Sequence, residues 1–529
     1  MTESYDYIVI GSGAAGSIVA ERLTRDPSHR VLLVEAGERS RSPLLQIPAA
    51  ETWLMGKTNY DWNFQTDPDP TLDGRALTIP RGRVLGGSTA INGMLFVRGQ
   101  AADFNDWEAA GCPGWSWQDV LPAYRRLERS GISGPTRGEH GRISVNEPRE
   151  HHTLVDAFIR AAANKGFTVG NDYNSGHQNG FGYYQVNHWA GKRSSPLTEH
   201  LLPAMRRKNL NVLTKHHAHR LVIQAGRAVG IEVQANSETT RYKCEREIVL
   251  SAGVAGSPAI LERSGIGQPS LLRTLGIPVV HELPGVGENL QDHFAVRVRW
   301  RVQKPITFNE ASRGIHLLRA LRKYALNRKG FLSLPIALGY GFVSVDGSVR
   351  PDTQFHFSPA TYGAGPTRRL ERQPGMTIGI YPLRPLARGS IHIRSRDPRI
   401  APSIRTNFLE HQQDIEILIK GVELARTLVS DQAFDEYRGQ ELLPGADISD
   451  RITLAQFARS SGDTSYHPVG TCRMGQDNHA VVEPDLRLRG IGGVRVIDAS
   501  VMPSLVSGNT QAASMLIGEI GAELLTASG

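Results

Sequence analysis

Residues 7–16 read Tyr-Ile-Val-Ile-Gly-Ser-Gly-Ala-Ala-Gly, and residues 31–35 read Val-Leu-Leu-Val-Glu. Tyr7 to Ile10 is a short apolar, β-branched run suited to a buried parallel strand. Gly11, Gly13 and Gly16 follow in G-x-G-x-x-G spacing and open a helix expected from about Ala14 to Arg25. The first glycine permits the tight turn, the second lets backbone approach a pyrophosphate, and the third lets helix and strand pack closely. The helix N-terminus then faces the phosphate charge. Val31 to Val34 is a second buried strand, ending at Glu35, nineteen residues after Gly16, where a carboxylate can accept hydrogen bonds from a ribose hydroxyl. Strand, glycines, helix, strand and acid in this order imply an adenine-dinucleotide site.

Working outward, 529 residues are too many for one ordinary core, so two domains are expected. With 40% apolar and 21% charged residues the composition is that of a globular protein. The most apolar stretch, Ile248 to Leu261, is short and broken by Gly253, Gly256 and Pro258, which argues against a membrane span. A strand starting at Tyr7 leaves no room for a cleaved signal peptide, and three cysteines (Cys112, Cys244, Cys472) make no disulfide framework. A cytoplasmic location is the default expectation. The formal charge of +8 comes from scattered clusters such as Arg206-Arg207-Lys208, Arg319 to Arg328 and Arg368-Arg369, without interleaved aromatics. These read as solvated faces, and nucleic-acid binding is disfavoured.

Pro43 to Gly99 is punctuated by proline and glycine and reads as largely loop; Asp103 to Arg129 reads as helical. A break at Ser130 to Pro135 precedes a strand expected at Arg142 to Val145. Asn211 to Glu232 holds two strand-like runs split by Ala225-Gly226-Arg227, a hairpin. Glu247 to Ser251, Val296 to Val302 and Val494 to Ile497 read as further strands. Arg388 to Arg396 alternates as a sheet with one solvated face, and Thr510 to Leu525 reads as the last helix. The expected fold is α/β: a discontinuous Rossmann-like domain (1–145, 205–295, 465–529) with an inserted α+β substrate-binding domain on an antiparallel sheet (146–204, 296–464).

Residues 82–99 read Gly-Arg-Val-Leu-Gly-Gly-Ser-Thr-Ala-Ile-Asn-Gly-Met-Leu-Phe-Val-Arg-Gly, followed by Asn105. This resembles the first signature of the glucose-methanol-choline (GMC) oxidoreductases, FAD enzymes that oxidise alcohols. Ser257-Pro258-Ala259-Ile260-Leu261 with Ser264-Gly265-Ile266-Gly267 is similar to the second, with Val254 where a smaller residue is usual. Arg388-Gly389, Tyr466-His467-Pro468, Gly470 to Gly475 and Gly508-Asn509-Thr510 resemble later shared stretches, with Ala387 in place of the usual Ser.

The resemblance implies FAD, His467 as the base that takes the alcohol proton, and Asn509 as its catalytic partner. A neutral imidazole suits proton transfer near neutral pH, and an amide can hydrogen-bond a developing alkoxide. Asn509 also suits a helix cap. Some members carry a linking histidine in the first signature; Asn92 here implies non-covalent FAD. Cofactor contacts are expected from Gly11, Gly13, Ala14, Ala15, Gly16, Glu35, Ala36, Arg83, Gly86, Gly87, Asn92, Gly93, Met94, Leu95, Ala218, Asp498, Ala499, Asn509 and Thr510. Trp62 is a further cofactor neighbour or an ordinary core residue. His216, His217 and His219 suggest no metal site: on one strand His217 and His219 share a face and His216 points away, without cysteine or carboxylate company. Cys472 is expected to be buried.

The expected reaction is oxidation of a primary alcohol, aromatic or ring-bearing by the hint of Tyr466, with oxygen, a quinone or another carrier as acceptor. Arg368-Arg369 hints instead at an acidic substrate. The alternatives are a hydroxynitrile lyase that retains FAD without redox chemistry, a choline-type dehydrogenase passing electrons to a quinone, and a non-catalytic flavoprotein.

Overall fold

The computed structural model describes residues 3–235, 238–363 and 369–527; Arg368 lies outside them. Strand β1 (Ser4–Ile10) runs into a turn, helix α1 (Gly16–Leu23) and strand β2 (Val31–Glu35), all but fully buried. Helix α1 is shorter than expected because residues 14–15 still belong to the turn and Thr24, bonded back to the carbonyls of Ala20 and Glu21, closes the last turn.

These strands sit in a sheet ordered Leu210–Thr214, β2, β1, Glu238–Leu250, with Val494–Val496 beside the last; every pairing is parallel. The sheet thus joins strands from the start, middle and end of the chain. The strand Glu238–Leu250 continues outward as an antiparallel partner of Arg227–Ala235, which pairs in turn with His217–Gln224. Their hairpin turns at Ala225 and Gly226, both at positive φ (46° and 73°), the geometry that matches strand twist. The run from Asn211 holds three strands rather than two, because Lys215 (φ 61°) breaks it after Thr214.

The second large sheet is antiparallel throughout: Arg438–Leu443, Phe294–Val302, Gly375–Pro382, Thr353–Ser358, Gly339–Val343, Gly180–Tyr183. Along Phe294–Val302 the residues alternate. Val296, Val298, Trp300 and Val302 enter a core shared with the helices Thr153–Asn164 and Gln412–Val429, while Arg297, Arg299 and Arg301 take the other face. The alternating stretch Arg388 to Arg396 makes only a two-stranded ribbon, Ser390–His392 with Ser403–Arg405. Its polar member His392 is not solvated but held between Glu262 (2.6 Å) and Glu288 (3.0 Å), which raise its pKa to about 9 against the opposing effect of burial.

Candidate active site

A cavity of about 1080 Å³ lies between the two sheets, running from the β1–α1 turn to the face of the antiparallel sheet. At the first end the wall is backbone. Gly11 has φ 99°, and a Cβ there would stand 2.3 Å from the Ser251 carbonyl oxygen; a Cβ on Gly16 would stand 2.0 Å from that of Gly11. Gly13 is different: nothing in the protein lies within 4 Å of where its Cβ would be. The turn is therefore packed by protein on two glycines and open to the cavity at the third, as a pyrophosphate requires. Glu35 is buried at the end of β2, accepting from the Ser12 amide (3.0 Å) and hydroxyl (2.6 Å) and from the Gly37 amide (2.7 Å). Burial raises its pKa, and those bonds oppose the rise.

Of the expected cofactor residues, Gly11, Gly13, Ala14, Ala15, Glu35, Ala36, Trp62, Arg83, Gly87, Asn92, Gly93, Met94, Leu95, Ala218, Asp498, Ala499, Asn509 and Thr510 line this one cavity. Gly16 and Gly86 stand behind the wall: Gly16 packs α1 on the turn, and the Gly86 amide donates to the Ser12 hydroxyl (3.0 Å). Trp62 stacks on Phe64 and lies edge-on to His217, with the Arg83 guanidinium 4.8 Å from its ring. His216 and His217 both line the cavity, while His219 bonds the Arg396 carbonyl instead. The expected division, with His216 pointing away, fails because the break at Lys215 places His216 before the strand. Burial holds His217 neutral, near pKa 4. Cys472 is fully buried.

The Asn92 side chain is turned into the protein. Its amide nitrogen donates to Gln511, its oxygen accepts from Arg193 (2.6 Å) and from the Met94 amide (3.1 Å), and Met94 takes φ 60°. This leaves backbone of residues 92–95 at the cavity. Arg193 is wholly buried, its pKa brought down to about 10 by desolvation despite Glu51 nearby. Gln511 lines the cavity, and its buried amide nitrogen has no hydrogen-bond partner among the described residues, so a donor is left over beside the site. A backbone cradle, a free donor and a cavity of this size together fit a flavin dinucleotide.

At the far end the wall is side chains. His467 Nδ1 is 3.0 Å from Nδ1 of His293, and His293 Nε2 is 3.0 Å from the Leu383 carbonyl oxygen. A carbonyl only accepts, so His293 Nε2 carries the hydrogen. Burial holds His293 neutral, its pKa pushed down to about 3, so its Nδ1 offers a lone pair. His467 must then donate from Nδ1, and burial, with smaller contributions from His293, His356 and Arg81, keeps it neutral as well. Its Nε2 is left with the lone pair. The Asn509 amide nitrogen lies 3.0 Å from that Nε2, the end of the amide a lone pair calls for, and the Asn509 oxygen is 3.4 Å from the Gln354 amide nitrogen. The Asn509 side chain thus reaches into the site, to His467 and Gln354, and the helix Gln511–Ala527 begins two residues on.

The turn that presents His467 is held from below. Tyr466 sits at φ 67°, a left-handed conformation uncommon for a bulky residue. Its carbonyl accepts from Arg81 (2.6 Å), and the His467 amide donates to Asp292 (2.8 Å), which also accepts from Thr464 (2.5 Å). Desolvation pushes the Asp292 carboxyl up to about 7, and the Thr464, His467 and Arg81 interactions oppose it. Above the pair, Ala295, Arg297, His356, Ser358, Thr377, Gly379 and Tyr381 form the ceiling from the antiparallel sheet. Tyr381 donates to or accepts from His356 (2.7 Å) and lies edge-on to His467. Sequence reasoning named His467 and Asn509 but missed His293, Asp292, Arg81 and Arg193; the only signal was an Asp-His pair at the mouth of the strand Phe294–Val302.

A buried imidazole with its lone pair aimed at an amide donor, beside a dinucleotide cradle, is an arrangement that fits a flavin-dependent oxidoreductase. Family models described as GMC oxidoreductase match residues 5–295 and 385–518. The chain belongs to the GMC oxidoreductases, FAD-dependent enzymes acting on CH–OH groups. It is 37% identical over 518 residues to an oxygen-dependent choline dehydrogenase of Brucella canis, covering 97% of this chain and 94% of that one. It is 36% identical over 530 residues to an alcohol dehydrogenase [acceptor] of Pseudomonas putida, covering 98% and 95%. The crystal structure of pyridoxine 4-oxidase from Mesorbium loti superposes with a TM-score of 0.89 at 30% identity, over 98% of each chain. No helix among the described residues is long and apolar enough to cross a membrane.

Proposed function

We propose that the protein oxidises a ring-bearing primary alcohol to the aldehyde, with His467 as base and Asn509 as its partner. The observation that carries this reading is the chain Leu383 carbonyl, His293, His467, Asn509, in which the tautomers follow in turn and leave the lone pair of His467 on Nε2, facing the Asn509 amide. A substrate hydroxyl that takes the place of the Asn509 N–H at Nε2 gives up its proton there. The resulting imidazolium is stabilised through Nδ1 by the neutral His293, as a histidine is oriented and stabilised by the group behind it. The Asn509 amide nitrogen has two hydrogens, so it donates to the oxygen as negative charge grows on it. The carbon-bound hydride requires an acceptor, which bound FAD supplies.

The cofactor would be held by the backbone of residues 11–15 at its phosphates, by Glu35 at the ribose and by residues 92–95 at the ring system. Its attachment is non-covalent in this reading, since residues 82–99 hold no histidine, cysteine or tyrosine. The ring preference is supported by Tyr381, Tyr362, Tyr466 and His356 around the far end, and by the likeness to a protein named for acting on pyridoxine. Choline is disfavoured although relatives are named for it: Arg297 lies in the wall at this end, where a quaternary ammonium would meet a like charge.

The test is anaerobic mixing of the purified yellow protein with benzylic, heteroaromatic, aliphatic and choline alcohols, following loss of flavin absorbance. Bleaching fastest with the ring-bearing alcohols is expected. A protein that keeps its FAD and is bleached by no alcohol contradicts the reading and favours lyase chemistry. Readmitting air or a soluble quinone then identifies the acceptor.

A further inference from the structure

The helix Gly314–Asn327 is anchored by one narrow face: Tyr324 is buried, and Leu317 and Ala320, at helical spacing from it, are half-buried. Among the described residues the remainder is exposed, with Lys323 paired to Glu150 at one flank. Ile315, Leu318, Leu321 and Leu326 are 56%, 62%, 42% and 69% exposed. Ile315, Leu318, Leu321 and the exposed Ala325 follow at steps of three and four, so they form one apolar band on the outer side of the helix. The charge along the same segment is of one sign: residues 311–330 contain six arginines and lysines and no acid. Arg319 and Arg322 are exposed beside the apolar band.

We propose that this helix docks the protein on an anionic lipid surface. An occupant of this face must cover clustered large aliphatics and also neutralise cations. A second copy does the first but not the second: a two-fold contact of helix on helix would bring two sets of like charges together. A bilayer containing anionic lipid does both. The aliphatic side chains enter the boundary between headgroups and acyl chains, while Arg319 and Arg322 extend to the phosphates. Arg313, just before the helix, donates to the Leu370 carbonyl, and Leu370 pairs with Tyr362, a residue of the cavity wall. Docking therefore holds the Tyr362 side of the cavity close to the bilayer, where apolar alcohols and lipid-soluble electron acceptors concentrate.

The experiment is sedimentation of the FAD-loaded full chain with phosphatidylcholine vesicles, with and without phosphatidylglycerol. The bound fraction is expected to rise roughly tenfold or more when phosphatidylglycerol is present and to fall with added salt, the behaviour of several cations at a charged surface. Leu318→Ser/Leu321→Ser/Leu326→Ser and, separately, Arg319→Glu/Arg322→Glu should each return binding to the phosphatidylcholine level while leaving flavin reduction in solution unchanged. A parent protein that stays in the supernatant with both vesicles overturns the proposal, as does equal binding by parent and variants. So does a stable oligomer in which amides 314–327 are slowed in hydrogen exchange and which the leucine variant dissociates, since that assigns the face to a second copy.

Discussion

At the β1–α1 turn the cavity wall is main chain, positioned by glycines whose missing Cβ atoms make room. At the opposite end it is side chains, each aimed by a hydrogen bond to the next. The first arrangement suits recognition of a constant ligand, since backbone amides and a helix terminus meet any phosphate in the same way. The second suits chemistry, because protonation states are set by burial and by which partner can only accept. The ends also differ in tolerance. The glycine turn is intolerant of bulk, and the histidine chain is intolerant of a wrong donor or acceptor of the same size.

Substitution at the glycines should have the largest effect and should split in two. Gly16→Val places carbon against the Gly11 carbonyl and is expected to yield protein without FAD and with a lowered melting temperature. Gly13→Ala meets no protein atom within 4 Å, so the apoprotein should melt like the parent while FAD affinity falls by about tenfold or more. Flavin titration with thermal melts checks both; equal behaviour of the two variants would erase the distinction between packing and cradle.

On the side-chain end, Asn509→Asp puts negative charge where negative charge accumulates and should slow flavin reduction by about a hundredfold. Asn509→His, still a donor, should be less impaired, with melting temperatures alike throughout. Rapid-reaction absorbance measures the series, and an Asp variant as fast as the parent would reduce Asn509 to a structural residue.

A smaller loss is expected behind the base. His293→Leu removes the acceptor for His467 Nδ1–H and should lower the reduction rate by roughly tenfold, while His293→Gln, whose carbonyl can still accept, should recover most of it. A Leu variant with the parent rate and pH profile would show that His293 only fills space.

The smallest effect concerns pH. The active form of the base is neutral imidazole, and burial holds His467 well below its usual pKa of 6.5. In an Asp292→Asn background, which removes the carboxyl that itself titrates near 7 beneath the His467 turn, lowering pH from 8 to 6 should therefore barely change the reduction rate. An exposed imidazole would instead be largely protonated at pH 6 and its rate would fall with pH. Stopped-flow rates across this range decide, and a decline centred near 6.5 would place the base in a wetter setting.

The backbone end was legible in the sequence because its determinants are local: strand, glycines, helix and acid lie within residues 7–35, and the Ala225-Gly226 hairpin turn carries its own signal. His467 and Asn509 were legible through motif resemblance. His293 was not, since its role depends on meeting His467 across 174 residues and on a carbonyl contributed by Leu383 from a third segment. Asp292, Arg81 and Arg193 escaped for the same reason: a charged residue looks solvated in sequence until packing buries it. The His216–His219 run was misread by its strand register, because nothing in Thr-Lys-His marks Lys215 as left-handed.

The central claim is that His467 Nε2 takes the hydroxyl proton. Its most direct test is the rate of anaerobic flavin reduction by a primary alcohol in FAD-loaded His467→Ala. The account predicts a fall of about a hundredfold or more, the scale of losing a positioned general base, with FAD still bound by the untouched glycine turn. A His467→Ala protein that retains its FAD and reduces it at the parent rate would contradict the account.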